Sequence, residues 1–309
     1  MRLVAATMLL TLLTPFLPAK IVAQNQECNA TCYDLQKTSS GHYVTTISLN
    51  NTTQVRAQLE SGIHTLLMDS AFAFNHQDEL GIAFTPSKSK INLGGKTYNI
   101  THRAEATLQL NNYAYYKGEI FLLPAFKNEY EVALPIQNLF HQNGTRCIKL
   151  DLKKANFQIL ATNESVPKRW HSLPMNFDTY LKMPAIITTL HIQDSNYDAS
   201  IKGNFNLDLG NASLIFLFEQ SNTIQEFLQQ YAEKIKIHNG YDRQGNIIAK
   251  AIIPTAITIG NTPFQNPTIA ITKALPKFST EGCIGLKYFQ NHAVIFDFDN
   301  KKFYIQPQQ

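Results

Sequence analysis

Two stretches of this chain follow the same residue pattern 146 positions apart. Cys147 to Asp151 and Phe157 to Ile159 form the first copy, and Ala293 to Asp297 and Phe303 to Ile305 form the second. Each copy is a run rich in apolar residues, then a short turn and another such run, which predicts a pair of strands. A repeat of this length constrains the fold strongly, because it predicts two similar units in one chain.

An aspartate also ends an apolar, strand-like run in each unit. Asp69 follows Leu66 to Met68, and Asp208 follows Phe205 to Leu207. These two aspartates are 139 positions apart, so the order of the elements is kept with small changes in length. One aspartate after a strand is usually a turn former. Two at matched positions predict that two carboxylates meet at one site.

Most of the remaining sequence predicts strands, so we expect an all-β protein with one or two short helices. One helix is indicated by Thr223 and Glu226, which form a capping box ahead of apolar residues at helical spacing. Alternating runs predict strands at Tyr43 to Leu49, Thr107 to Leu110, Ile148 to Leu152, Ile186 to Ile192, Ala256 to Ile259 and Val294 to Phe298.

The first 23 residues predict a secretory signal peptide. Arg2 gives a positive start, Leu3 to Leu17 is apolar, and the small residue Ala23 offers a cleavage site. This apolar run is shorter than the roughly 20 residues that span a bilayer. We therefore expect an exported protein, periplasmic or secreted, with no membrane contact after cleavage.

Charge and cysteine content bear on nucleic-acid binding, disulfide formation and metal binding. Removing 23 of the 309 residues leaves 286, and the loss of Arg2 and Lys20 lowers the formal net charge from +4 to +2. No basic stripe interleaved with aromatic residues occurs, so we expect no nucleic-acid partner. Cys28 and Cys32 predict a small local disulfide in an oxidising compartment. No clustered cysteine or histidine spacing indicates a metal site, and no cofactor is expected.

The two aspartate turns resemble the Asp-Thr/Ser-Gly signature of aspartic peptidases, as Asp69-Ser70-Ala71 and Asp208-Leu209-Gly210. The stretch Glu281 to Leu286, with the strand pair after it, resembles the second glycine strand of that family. The most similar kind is the exported bacterial retropepsin-like or pepsin-like protein, here with two lobes in one chain.

This resemblance implies two similar aspartic-peptidase-like β-barrel lobes with a cleft between them. The expected division is a signal peptide at 1–23, an N-terminal segment at 24–42, a first lobe at 43–160, an interlobe linker at 161–184 and a second lobe at 185–309. The resemblance also implies a flap over the cleft. Gly240 and Tyr241 are the flap candidates in the second lobe, and Leu93 to Gly95 is their expected counterpart in the first lobe.

The implied activity is an aspartic endopeptidase that acts on a peptide or protein substrate in the cleft, as a monomer. Asp69 and Asp208 would share a proton and activate a water, most effectively in acid. Ser70, Ala71, Leu209 and Gly210 would support the pair.

Three departures from the family pattern leave other functions open. Leu209 lacks the hydroxyl that Ser70 keeps, Ala71 replaces a glycine, and Pro135 stands where the second lobe has Gly285. One alternative is a catalytically impaired protein that binds a peptide or glycan in the cleft. Another is a two-lobed structural protein in which the aspartates do not meet.

Overall fold

The computed structural model describes residues 32–93, 96–124, 129–162, 166–179, 182–241, 247–273 and 279–307. Strands dominate these ranges and the helices in them are short, which confirms the expected all-β class. None of the helices in these ranges is long and apolar enough to cross a membrane. Cys28 lies outside the described residues, and Cys32 is disulfide-bonded.

The first half of the chain forms strands β1 to β14 and two short helices. The strands are β1 (Cys32–Asp34), β2 (Gln36–Lys37), β3 (Tyr43–Leu49), β4 (Thr53–Glu60), β5 (Leu66–Asp69), β6 (Thr85–Pro86), β7 (Lys90–Leu93), β8 (Lys96–Asn99), β9 (His102–Asn111), β10 (Ala114–Leu123), β11 (Val132–Pro135), β12 (Leu139–His141), β13 (Cys147–Asp151) and β14 (Asn156–Ile159). The helices are α1 (Ser70–Asn75) and α2 (Gln77–Leu80), and a 3-10 turn covers Ile136–Asn138.

The first lobe is one sheet with the strand order β2-β3-β4-β11-β5-β10-β9-β6, and β12 pairs with β10. Within it, β4 and β11 are parallel, whereas β11 and β5 are antiparallel. The hairpin β7–β8 stands apart from this sheet. Alternating side chains fill the lobe, and Ile47, Leu49, Leu66 and Tyr116 are almost fully buried.

The second half forms strands β15 to β26 and helices α3 and α4. The strands are β15 (His171–Phe177), β16 (Pro184–Asp194), β17 (Tyr197–Asp208), β18 (Ile215–Phe218), β19 (His238–Tyr241), β20 (Ile247–Ile252), β21 (Ala256–Ile259), β22 (Thr262–Gln265), β23 (Ile269–Thr272), β24 (Gly282–Gly285), β25 (Ala293–Asp297) and β26 (Lys302–Ile305). The helices are α3 (Asn222–Gln230) and α4 (Leu286–Phe289).

The second lobe has the strand order β16-β17-β24-β18-β23-β20-β19; in addition, β21 pairs with β16, and β22 pairs with β21. Here β17 and β24 are parallel, whereas β24 and β18 are antiparallel. The predicted helix is confirmed as α3. Its N-cap is Ser221, which accepts a hydrogen bond from the Ile224 amide, so the helix begins earlier than the Thr223 and Glu226 pattern indicated.

The two halves are joined by a sheet with the order β1-β14-β13-β25-β26-β15. At its centre β13 pairs antiparallel with β25, and Lys149 lies opposite Ile295. These two residues are 146 positions apart, so matching residues of the two hairpins face each other. An approximate twofold axis therefore passes between them. Asp151 and Asp297 each accept a hydrogen bond within the turn of their own hairpin, so both have a structural role.

The segment predicted as a polar linker, 161–184, contains strand β15. This strand pairs first with β26 and then with β16, so it connects the joining sheet to the second lobe. Trp170, just before β15, packs in a cluster with Cys147, Ala293 and Ile295. The apolar residues of β15, Leu173, Met175 and Phe177, alternate and pack against the main core, but the prolines in and around the strand are more typical of a loop.

Candidate functional site

Each lobe ends one strand in an acidic residue at the same place in its sheet. In the first lobe β4 ends at Glu60, which lies opposite Pro135 on the parallel strand β11. In the second lobe β17 ends at Asp208, which lies opposite Gly285 on the parallel strand β24. The predicted match of Pro135 with Gly285 is therefore confirmed. The acid that corresponds to Asp208 is Glu60.

Asp69 and Glu60 lie at opposite ends of strand β11. The predicted pairing of Asp69 with Asp208 is therefore wrong. Strand β5 runs antiparallel to β11, and the Asp69 amide donates to the carbonyl of Glu131, just before β11 begins. Glu60 lies opposite Pro135, where β11 ends. Four residues of strand separate these positions, or ~13 Å at about 3.3 Å per residue.

The supporting roles predicted for Ser70 and Ala71 are wrong for the same reason. Both residues belong to α1, and Asp69 is the N-cap of that helix, accepting a hydrogen bond from the Phe72 amide at 3.0 Å. Asp69 therefore caps a helix, the usual role of an aspartate at such a position.

The residue after Glu60, Ser61, provides the hydroxyl that joins the lobes. Its Oγ donates to the carbonyl of Leu207 at 2.7 Å and accepts from the amide of Leu209 at 2.8 Å. Ser61 is fully buried. Leu209 itself packs in the hydrophobic core, so the second lobe returns no matching hydroxyl, as the sequence predicted. Ser61 thus fixes the backbone on both sides of Asp208.

Two glycines let each carboxyl group approach the opposite lobe. A Cβ placed at Gly210 would overlap both carboxylate oxygens of Glu60. A Cβ placed at Gly62 would lie 2.9 Å from Asp208 Oδ1 and 3.6 Å from Glu60 Oε2. These two oxygens are therefore at most 6.5 Å apart, which is the sum of the two distances. The two carboxyl groups share one site, as predicted for a pair, but the pair is Glu60 and Asp208.

The environment of the pair raises the pKa of both carboxyl groups. Burial, followed by the negative charge of Asp208, raises the pKa of Glu60 from 4.5 to about 8, against hydrogen bonds from Gln58 and from the backbone at Ser61 and Gly62. Burial raises the pKa of Asp208 from 3.8 to about 6. Asp208 therefore ionises first, and Glu60 then keeps its proton against a neighbouring negative charge.

A cavity of about 400 Å³ opens beside Glu60 and Gly210. Its apolar wall consists of Ile63, Leu67, Leu93, Tyr98, Leu123, Tyr130 and Ala133, and its polar wall consists of Ser40, His42, Gln58 and Glu129. Leu93 and Tyr98 come from the separate hairpin β7–β8, which therefore lies over the cavity beside the carboxyl pair.

The flap candidates of the second lobe lie at one edge of its sheet. Gly240 and Tyr241 are on β19, the last strand at that edge, and Gly240 pairs with Ala249. The first-lobe counterpart is the better placed of the two, since Leu93 lines the cavity; Gly94 and Gly95 lie outside the described residues.

The polar wall comes from the turn between β2 and β3. His42 Nε2 lies 2.9 Å from the carbonyl oxygen of Gly210, and His42 Nδ1 lies 3.0 Å from Ser40 Oγ. Ser40 and Ser39 both donate hydrogen bonds to Glu129. The N-terminal segment therefore contacts the site directly. Across the described residues, no group of three or more histidine, cysteine, aspartate or glutamate side chains could hold a metal ion.

The fold and site together define a two-lobed β protein with a carboxyl pair at the lobe interface. A solved structure with this architecture is an aspartic proteinase from Irpex lacteus, with a TM-score of 0.54, 10% sequence identity, and coverage of 90% of this chain and 97% of that one. No protein-family model matches the sequence, and no curated protein matches it. The chain thus has the fold of an aspartic proteinase.

The sequence contained a signal for Glu60. Glu60 and Asp208 are 148 positions apart, close to the 146 positions between the terminal strand pairs, whereas Asp69 and Asp208 are 139 apart. Ser61 and Gly62 also supply the hydroxyl and the glycine of the family pattern. At this position the chain has a glutamate where the pattern has an aspartate.

Proposed function

We propose that this protein is an endopeptidase in which Glu60 and Asp208 activate a water. The observation that carries this proposal is the meeting of two carboxyl groups, from matching strand ends of the two lobes, at one cavity. The raised pKa values add support, because a site of this type needs one protonated and one ionised carboxyl group.

The pair can divide the reaction between an acid and a base. The Asp208 carboxylate takes a proton from water while the water oxygen bonds to the carbon of the peptide carbonyl, and Glu60 donates its proton to the carbonyl oxygen. The intermediate then collapses: a hydroxyl returns its proton to Glu60, the C–N bond breaks, and the leaving nitrogen takes the proton held by Asp208. Both residues end in their initial protonation states.

The raised pKa values set the pH range. Asp208 is ionised above about 6 and Glu60 is protonated below about 8. Activity should therefore follow a bell-shaped profile between these values, nearer to neutral than the sequence suggested, with the two limits belonging to the pair.

The cavity suggests the kind of substrate. Its apolar wall lies beside Glu60, under the β7–β8 hairpin. A large apolar side chain next to the scissile bond would bury its surface there, at about 25 cal/mol per Å² of apolar area. We therefore propose peptides with leucine, phenylalanine or tyrosine at this position as the substrates.

A peptide library incubated between pH 4 and 9, with products identified by mass spectrometry, tests the function. Glu60→Gln and Asp208→Asn should each lower kcat by about 10²–10⁴-fold, the usual contribution of one positioned proton donor or acceptor. Asp69→Asn is the matched control: asparagine also caps helices, so folding and activity should be kept. Equal activity in all four proteins would refute the proposal.

The second candidate is a peptide-binding protein without turnover. It is favoured by Leu209, which lacks a hydroxyl, and by the extra methylene of Glu60, because small displacements in such sites can cost about 10²-fold. In the same assay, the wild type would then bind the apolar peptides saturably and cleave none of them.

An oxidising compartment outside the cytoplasm is the location we propose. The disulfide of Cys32 supports it, because such bonds persist chiefly in exported proteins. Reducing SDS gels of the protein recovered from culture medium, periplasm and cytoplasm would test both cleavage after residue 23 and location.

A further inference from the structure

The turn of residues 38–42 reaches from the first lobe to the carboxyl pair. It is closed by hydrogen bonds from the Thr38 amide to the His42 carbonyl at 2.8 Å and from the Gly41 amide to the Thr38 carbonyl at 3.1 Å. Gly41 has a φ of +90°, which glycine adopts without strain. The turn thus holds the His42 ring against Gly210 of the second lobe.

The hydrogen bonds of His42 determine where its protons are. Hydrogen bonds from Ser39 and Ser40 hold the pKa of Glu129 below its usual range, so Glu129 is ionised and can only accept. Ser40 uses its one hydroxyl proton on Glu129, at 2.7 Å, and so accepts from His42 Nδ1. The Gly210 carbonyl also can only accept, from Nε2. Both ring nitrogens thus face an oxygen that accepts, and an imidazolium satisfies both of these contacts.

The charges around the pair are asymmetric. Asp208 is faced by Glu60 and by His42, and Glu129 faces His42 from the other side. Burial raises the pKa of Cys283, behind Asp208, well above its usual range, so that thiol is neutral. Burial likewise raises the pKa of Tyr130, beside Glu60, to about 12. The positive charge of His42 thus acts on the Asp208 side of the pair.

Gly210 connects the cation to the carboxylate. Its amide donates to Asp208 Oδ1 at 3.0 Å, and its carbonyl accepts from His42. Burial raises the pKa of Asp208, and the charge of His42 acts in the opposite direction. On the other side, Glu60 accepts a hydrogen bond from the neutral Gln58 amide at 2.6 Å.

We propose that His42 is a positioning residue that makes Asp208 the ionised member of the pair and Glu60 the protonated member. The imidazolium, held by Ser40 and Glu129, stabilises negative charge on Asp208 and orients the Gly210 peptide that donates to it. The general base and the general acid are thereby assigned before substrate binds. This inference rests on the proposed function only in naming those catalytic roles.

The titration of Asp208 tests this inference without any need for activity. Protein labelled with ¹³C at the aspartate carboxyl carbon is titrated by NMR, and the Asp208 signal is assigned by its absence in Asp208→Asn. His42→Gln should raise the titration midpoint of Asp208 by about one pH unit, a tenfold change in proton affinity. His42→Arg keeps a cation and should keep the midpoint within about 0.3 unit.

His191→Gln is the matched control, since His191 bonds Ser200 on the second lobe and should leave the midpoint unchanged. An unchanged midpoint in His42→Gln, or equal shifts in His42→Gln and His42→Arg, would overturn the inference. A shifted midpoint in a protein that cleaves no peptide would reject the proposed function and leave this inference standing.

Discussion

The carboxyl pair should make the protein less stable as the pH rises, and Glu60→Gln should remove much of this dependence. The pKa of Glu60 is raised from an ordinary 4.5 to about 8 in the folded protein. Its favourable contribution is therefore complete below pH 4.5 and is lost as the pH rises through 8. Above pH 8 the folded state must bury a second negative charge beside Asp208.

The structure gives the size of the effect. The folded and ordinary pKa values differ by about 3.5, and each unit corresponds to about 1.4 kcal/mol, so the free energy of unfolding falls by about 5 kcal/mol between pH 4.5 and 8. This figure is an upper limit, because Glu60 also faces the cavity, where water screens its charge. The effect is therefore a large fraction of the roughly 5–15 kcal/mol by which folded domains are typically stable.

Urea denaturation of the wild type and of Glu60→Gln between pH 4 and 9 measures the effect. The variant keeps the shape of the side chain and an oxygen that can accept from Gln58, so the two proteins should have equal stability near pH 4. The variant should become more stable by several kcal/mol at pH 9. Titrating groups outside the pair cancel in the difference. A difference that does not change with pH would refute the reasoning.

Three further predictions concern the frame of the site. Ser61→Ala should lower the free energy of unfolding, measured by urea denaturation, by about 1–3 kcal/mol, because it leaves buried backbone groups of the second lobe without their hydrogen bonds to Ser61. The control Ser70→Ala should lower it much less, and equal losses would contradict the role given to Ser61. Gly210→Ala should lower kcat/KM by about 100-fold in the peptide assay, because the added Cβ would displace the Glu60 carboxyl group. Unchanged kinetics would show that Glu60 does not lie against Gly210. Tyr98→Ala should raise KM more than it lowers kcat, since Tyr98 lines the cavity and not the carboxyl pair; the reverse would place it in the chemistry.

The two-lobed architecture could be predicted because the terminal hairpins repeat at an offset of 146 residues. The apolar runs of the two terminal hairpins predict buried strands, and the constant offset predicts that both halves fold alike. The structure places Lys149 opposite Ile295, which are matching positions of the two hairpins.

The site was predicted only in part, because local pattern does not report strand direction. Asp69 ends an apolar run and Glu60 ends an alternating one, and both runs are typical of strands. Only the sheet shows that β4 ends beside Pro135 whereas β5 ends near Glu131, at the other end of β11. Asp208 was found because in the second lobe the strand end and the aspartate coincide.

The contact of His42 with Gly210 was also beyond the reach of the sequence. These residues are 168 positions apart, and the contact depends on how the two lobes are set against each other. Leu93 and Tyr98 line the cavity for a similar reason, because their hairpin leaves the main sheet of the first lobe.

The joining sheet, in which β13 pairs with β25, ties two copies of one design into a single polypeptide. In an assembly of two identical chains, any substitution at the acidic strand end would occur twice, and the two carboxyl groups would be chemically equivalent. Here each position can change independently. The chain has a glutamate at one and an aspartate at the other, with a histidine beside the aspartate, so the twofold design carries a site in which left and right differ.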